Sequence, residues 1–293
     1  MRRGIMVAVF FWVIFLNVKL PAAEDVTKSP MVLKLPEMDQ VQIKKDVLFK
    51  EAGGEKLVMD IYYPPALKAG EHLPAIVFVL GFPNSVQFGK LKEWRIYMDW
   101  ARLAAVSGFA GVLYETTSPE TDIGDLLDHL RRNAAALSID ENRFALWSSS
   151  GNVLTALTVL MGERQAFIRC AALYYGLMLA PDQKFLDSLI DLNKQVKFSM
   201  AGLDKIKNWH RDLPLFIARA GKDTEVVNQG LDHFAASCLA NNVPLTLLNY
   251  AEGRHGFDMV DDTDQSREII RNTMEFFKFY LRFFNGQNTR RGG

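Results

Sequence analysis

Arg143-Phe144-Ala145-Leu146-Trp147-Ser148-Ser149-Ser150-Gly151-Asn152 decides how this 293-residue chain folds. Residues 142–147 predict a strand and residues 151–161 a helix, with only small side chains at the join. Such a join pushes one hydroxyl out above a sheet edge and offers a helix N-terminus to developing negative charge. Strand and helix crowd together there, so the positions two before and two after the exposed hydroxyl need small residues. With Ser150 as that hydroxyl, Ser148 and Asn152 hold those positions. With Ser149 the first would be Trp147, whose indole cannot fit where backbones nearly touch. Ser150 is the candidate nucleophile.

Working outward, strand and helix signals alternate. Strands are expected at residues 41–50, 56–63, 75–80, 110–114, 168–174, 213–219 and 243–248. Helices are expected at 93–106, 122–137, 225–239 and 264–284. Glu51-Ala52-Gly53-Gly54 signals a hairpin between the first two strands. Ala75-Ile76-Val77-Phe78-Val79-Leu80 is apolar throughout, as for a strand buried on both faces. The alternation implies right-handed crossovers and a mostly parallel sheet, made mixed by the leading hairpin. Residues 176–212 break the rhythm with helical patterns and no strand. They read as a cap over the sheet's carboxyl edge, where open sheets of this class bind ligands.

Two further loops carry chemistry. Gly221-Lys222-Asp223 follows the strand at 213–219, and Glu252-Gly253-Arg254-His255-Gly256-Phe257-Asp258 follows the strand at 243–248. Serine, acid and histidine therefore occur in that order, each after its own strand.

At these residues the chain resembles the α/β-hydrolase superfamily, whose elbow is usually G-x-S-x-G. The arginine seven residues before Ser150 and the G-x-H-G-F form around His255 are similar to its dienelactone hydrolase-like branch. Leu57-Val58-Met59-Asp60-Ile61-Tyr62-Tyr63-Pro64 looks like a strand of acetylesterase-like members. The resemblance spans residues 41–284. It implies an α/β-hydrolase fold: an eight-stranded, mostly parallel sheet flanked by helices, with a small helical cap. It further implies Ser150 as nucleophile, His255 as general base and Asp223, or failing that Glu225, as the acid orienting the imidazole. The oxyanion donors would be the backbone N–H groups of Gly151 and of Phe82, in the loop after the strand at 75–80. Leu80 replaces a histidine common in that loop.

Composition sets the remaining bounds. The chain is 49% hydrophobic and 23% charged, as in an ordinary globular protein. Arg2, Arg3 and Lys19 are the only charges among the first 23 residues, leaving 31 bases against 34 acids downstream. That balance gives no basic field for nucleic acid. Arg2 and Arg3, the apolar run 5–16 and Pro21-Ala22-Ala23 follow the order of a secretory signal peptide. Residues 1–23 are therefore expected to be a signal peptide, implying a secreted or periplasmic protein without stable membrane insertion. Residues 24–40 are expected to be a leader, 41–285 the domain and 286–293 a frayed tail. Cys170 and Cys238 read as small buried hydrophobes. No dinucleotide, phosphate-loop or zinc motif occurs, so no cofactor or metal is expected. The sequence points to a serine hydrolase acting on a small-molecule ester. A peptidase or amidase with the same triad, or a binding protein on this fold, are the alternatives.

Overall fold

The computed structural model describes residues 25–52, 54–85, 89–178, 187 and 209–283. The expected signal peptide, most of the cap and the tail lie outside these residues.

Eight strands form one sheet: β1 (Gln42–Ala52), β2 (Glu55–Tyr63), β3 (Leu73–Phe78), β4 (Ala110–Tyr114), β5 (Ile139–Ser149), β6 (Ile168–Tyr174), β7 (Leu215–Ala220) and β8 (Leu245–Tyr250). Their spatial order is β1-β2-β4-β3-β5-β6-β7-β8. Strand β2 pairs antiparallel with both β1 and β4, and every other pairing is parallel. The carboxyl ends of β3 to β8 therefore share one rim, and the loops leaving them converge there.

The helices are α1 (Arg95–Val106), α2 (Pro119–Arg132), α3 (Val153–Leu160), α4 (Glu225–Ala240), α5 (Phe257–Val260) and α6 (Asp264–Lys278). Every residue of β3 and β4 is buried, which explains their unbroken apolar runs. In α6, Ile269, Ile270, Thr273, Met274, Phe276 and Phe277 are buried, a helical spacing that turns one face to the core. The chain leaves α6 through a π-helical turn, Phe279–Phe283.

Boundaries differ from expectation where neighbours decide them. Strand β5 begins at Ile139, before the apolar run, because Ile139 pairs with Leu73 of β3. Helix α2 starts at Pro119, whose fixed φ suits a first helical position, and ends at Arg132. Residues 25–40, expected to be a leader, instead pack onto the domain. Met31, Leu33 and Met38 are buried, Met31 N–H donates to Asp99 Oδ2 of α1 at 3.2 Å, and Val32 N–H donates to the Asp258 carbonyl at 2.9 Å. Both cysteines are buried and free.

Candidate active site

Strand β5 ends at Ser149 in extended geometry, and Ser150 then turns to φ +55°. A left-handed non-glycine residue costs about 1–2 kcal/mol, so the surroundings must impose it. The turn starts a short 3₁₀ segment, Ser150–Asn152, that runs into α3. Ser148 is fully buried, and its hydroxyl donates to the Val79 carbonyl at 3.3 Å. Ser149 is buried as well and hydrogen-bonds the Tyr97 hydroxyl. Of the serines in the run, Ser150 alone meets a histidine.

Its Oγ lies 2.8 Å from His255 Nε2, and His255 Nδ1 lies 2.6 Å from Asp223 Oδ2. The loops after β5, β7 and β8 thus deliver one continuous hydrogen-bonded chain at the carboxyl rim. Asp223 and His255 side chains are only 1% and 4% exposed, and shielding from water strengthens their bond. The other Asp223 oxygen accepts the Thr224 N–H at 2.7 Å, which fixes the carboxylate. Glu225, the other acid considered, instead accepts from Gln229 within α4.

Asn152 stands where the usual elbow has its second glycine, and both polar atoms of its amide are engaged. Oδ1 accepts the Gly81 N–H at 2.7 Å, and Nδ2 donates to the Tyr97 hydroxyl at 2.8 Å. Burial pushes the Tyr97 phenol up to about 12, so it stays protonated. This clamp holds the loop after β3 against the elbow. A Cβ on Gly81 would come within 2.8 Å of Asn152 Cα, and one on Gly151 within 2.9 Å of the Phe82 ring. The Phe82 ring therefore packs beside Gly151. Asn152 and Tyr97 were not legible as site residues, because Asn152 meets Gly81 from 71 positions away and Tyr97 from 55.

Behind the imidazole lies another arrangement that sequence reasoning missed. The Tyr175 ring packs on the His255 ring, with centroids 4.8 Å apart. Its hydroxyl donates to Asp258 Oδ1 at 2.5 Å, and Trp100 Nε1 donates to Asp258 Oδ2 at 2.8 Å. Burial pushes the Asp258 carboxyl up, against the opposing effect of these hydrogen bonds. On the outer side, Arg254 N–H donates to Asp261 Oδ2 at 2.7 Å and closes the loop that carries His255.

Trp209, in the stretch expected to be the cap, packs on Phe234 of α4 with centroids 5.3 Å apart. Among the described residues no cluster of three or more His, Cys, Asp or Glu side chains could hold a metal ion. Nor is any helix among them long and apolar enough to cross a membrane.

No protein-family profile matches the sequence, and no curated protein matches it either. Solved structures do. The native form of esterase 2 from the planctomycete Thermogutta terrifontis superposes with a TM-score of 0.63 at 17% identity, covering 86% of this chain and 96% of that one. Its butyrate-bound form gives 0.64 at 16% identity, covering 86% and 98%. The sarin-phosphonylated form gives 0.64 at 17%, covering 84% and 98%. The fold is that of the α/β-hydrolases. Open, mostly parallel α/β sheets bind ligands at the carboxyl rim, and the Ser150–His255–Asp223 chain stands on that rim.

Proposed function

We propose that this protein is a carboxylic-ester hydrolase acting on a small-molecule ester through Ser150, His255 and Asp223. The observation that carries the reading is the unbroken hydrogen-bonded chain at 2.8 and 2.6 Å. Ser150 Oγ attacks the ester carbonyl while its proton passes to His255 Nε2. Asp223 holds the imidazole in the tautomer that can accept it and stabilises the imidazolium. The oxyanion takes hydrogen bonds from the Gly151 and Phe82 N–H groups. Collapse breaks the ester C–O bond, and His255 returns the proton to the departing alkoxide. Water, deprotonated by His255, then cleaves the acyl-enzyme and frees the acid. The G-x-H-G-F loop and the arginine-led elbow support a dienelactone hydrolase-like origin, with serine as the nucleophile. The esterase identity of the superposed structures supports the same reaction class. None of these steps calls for a cofactor.

The test is p-nitrophenyl acetate hydrolysis beside a peptidyl anilide. Turnover of the ester, and its fall by about 10⁴-fold or more in Ser150→Ala, is the expected result. A fluorophosphonate should add once, at Ser150. Cleavage of the anilide alone would make the protein an amidase, and turnover of neither would make it a binding protein.

The arginine-led apolar run at the N-terminus supports export as a further proposal. Cell fractionation and N-terminal sequencing of the mature chain test it, and a cytoplasmic protein retaining residues 1–23 would refute it.

A further inference from the structure

Asp258 is completely buried, three residues beyond His255, and the proposed hydrolysis gives it no task. No lysine or arginine is paired with it among the described residues. Its carboxylate takes two hydrogen bonds from neutral donors, Tyr175 from the end of β6 and Trp100 from α1. A buried carboxylate without a cation is costly, and a structure retains one where it fixes something.

What it fixes is visible in Tyr175. This residue holds φ +33°, a region that a bulky side chain occupies only under constraint. Its ring is pinned edge-on against Phe257 at 5.4 Å and lies against the His255 ring at 4.8 Å. Its hydroxyl points to Asp258, and burial, with the Asp258 charge after it, keeps that phenol protonated and donating. The Asp258 backbone is itself tied down, because its carbonyl accepts the Val32 N–H.

We propose that Asp258 and Tyr175 are positioning residues for the His255 base: the Asp258–Tyr175 hydrogen bond sets the phenol ring as a shelf that fixes the imidazole between Ser150 and Asp223. This deepens the esterase reading and rests on it. Asp223 constrains the imidazole in the ring plane through Nδ1, and the shelf constrains the ring across that plane. Without the shelf the ring can tilt, and displacement of about 1 Å at a reacting group costs up to about 100-fold in rate.

An adjacent residue supplies the control. Tyr174 is equally buried, and its hydroxyl bonds Thr273 Oγ1 at 2.5 Å, away from His255. Tyr175→Phe and Tyr174→Phe delete the same group from neighbouring buried rings. Kinetics on p-nitrophenyl acetate, thermal unfolding and fluorophosphonate titration are measured on both, beside Ser150→Ala. Tyr175→Phe is expected to lower kcat about tenfold or more with KM within about twofold, while Tyr174→Phe keeps kcat within about twofold. Asp258→Ala should lower kcat similarly, and adding it to Tyr175→Phe should have little further effect, since both act along one line. If the two tyrosine variants lose kcat equally, or Tyr175→Phe retains it, the positioning role is wrong. Full activity in Ser150→Ala would instead refute the esterase reading itself. Asp258→Ala is not essential to the decision, so its failure to fold would leave the tyrosine pair to settle it.

Discussion

Asn152 carries a hydrogen-bonding load that a glycine at its position could not. Its amide joins the Gly81 N–H to the Tyr97 hydroxyl, and both partners are buried. Asn152→Gly leaves the Gly81 N–H unsatisfied and leaves the Tyr97 hydroxyl with Ser149 alone, in a site shut off from water, which costs about 2–3 kcal/mol. The expected outcome is a fall in melting temperature of about 4–10 °C for a domain of this size. Ester turnover should fall with it, because the Phe82 loop is no longer held to the elbow. A variant with unchanged melting and unchanged kcat would mean the amide clamp is idle. The elbow was legible from small residues alone, yet the role of Asn152 was not. Spacing shows that a side chain fits; it does not show which distant backbone group that side chain will meet.

Helix α2 shows how an element end is held by a side chain inside it. Ser118 is the N-cap residue, but its own side chain makes no capping bond. Asp122 reaches back instead. Its Oδ2 accepts the Ser118 N–H at 2.8 Å, the Thr117 N–H at 2.9 Å and the Thr116 hydroxyl at 2.8 Å, while Lys50 Nζ binds Oδ1 at 2.5 Å. Burial opposes ionisation, but these donors outweigh it and hold the carboxyl below its ordinary 3.8. A carboxyl lowered on folding contributes stability above pH 3.8, and that contribution is lost as pH falls through the depressed value. Asp122→Asn should therefore cost about 2–3 kcal/mol at pH 7 and flatten the loss of stability below pH 4. Urea midpoints measured from pH 7 to pH 3 check both, and parallel curves for the two proteins would refute the assignment. Among the described residues the order of the strands and longer helices was legible, because period and length separate strands from helices, while the short α5 was not. Element ends were not, since β5 is extended by its pairing with β3 and α2 is set by a proline and a buried carboxylate.

Across the whole molecule, residues 25–40 are tied to the core through Met31, Leu33 and Met38. Apolar residues scattered among charges gave no periodic signal there, and docking onto the domain buries Met31, Leu33 and Met38. Met31→Ala should cost about 2–4 kcal/mol through the cavity it leaves, a drop of about 5–12 °C in melting temperature. A leader merely trailing in solvent would show no shift. The order of serine, acid and histidine along the chain was legible because each follows a strand of one parallel sheet. The aromatic shelf was not, because its parts come from α1, β6 and α5. The bond between Val32 and the Asp258 carbonyl has a consequence in time. The Val32 N–H leaves the ribosome early and must wait for a carbonyl that leaves late. On the proposed reading, the nascent polypeptide lacks its base until position 255 has been made and its support until position 258, so it stays silent toward esters for most of its own synthesis.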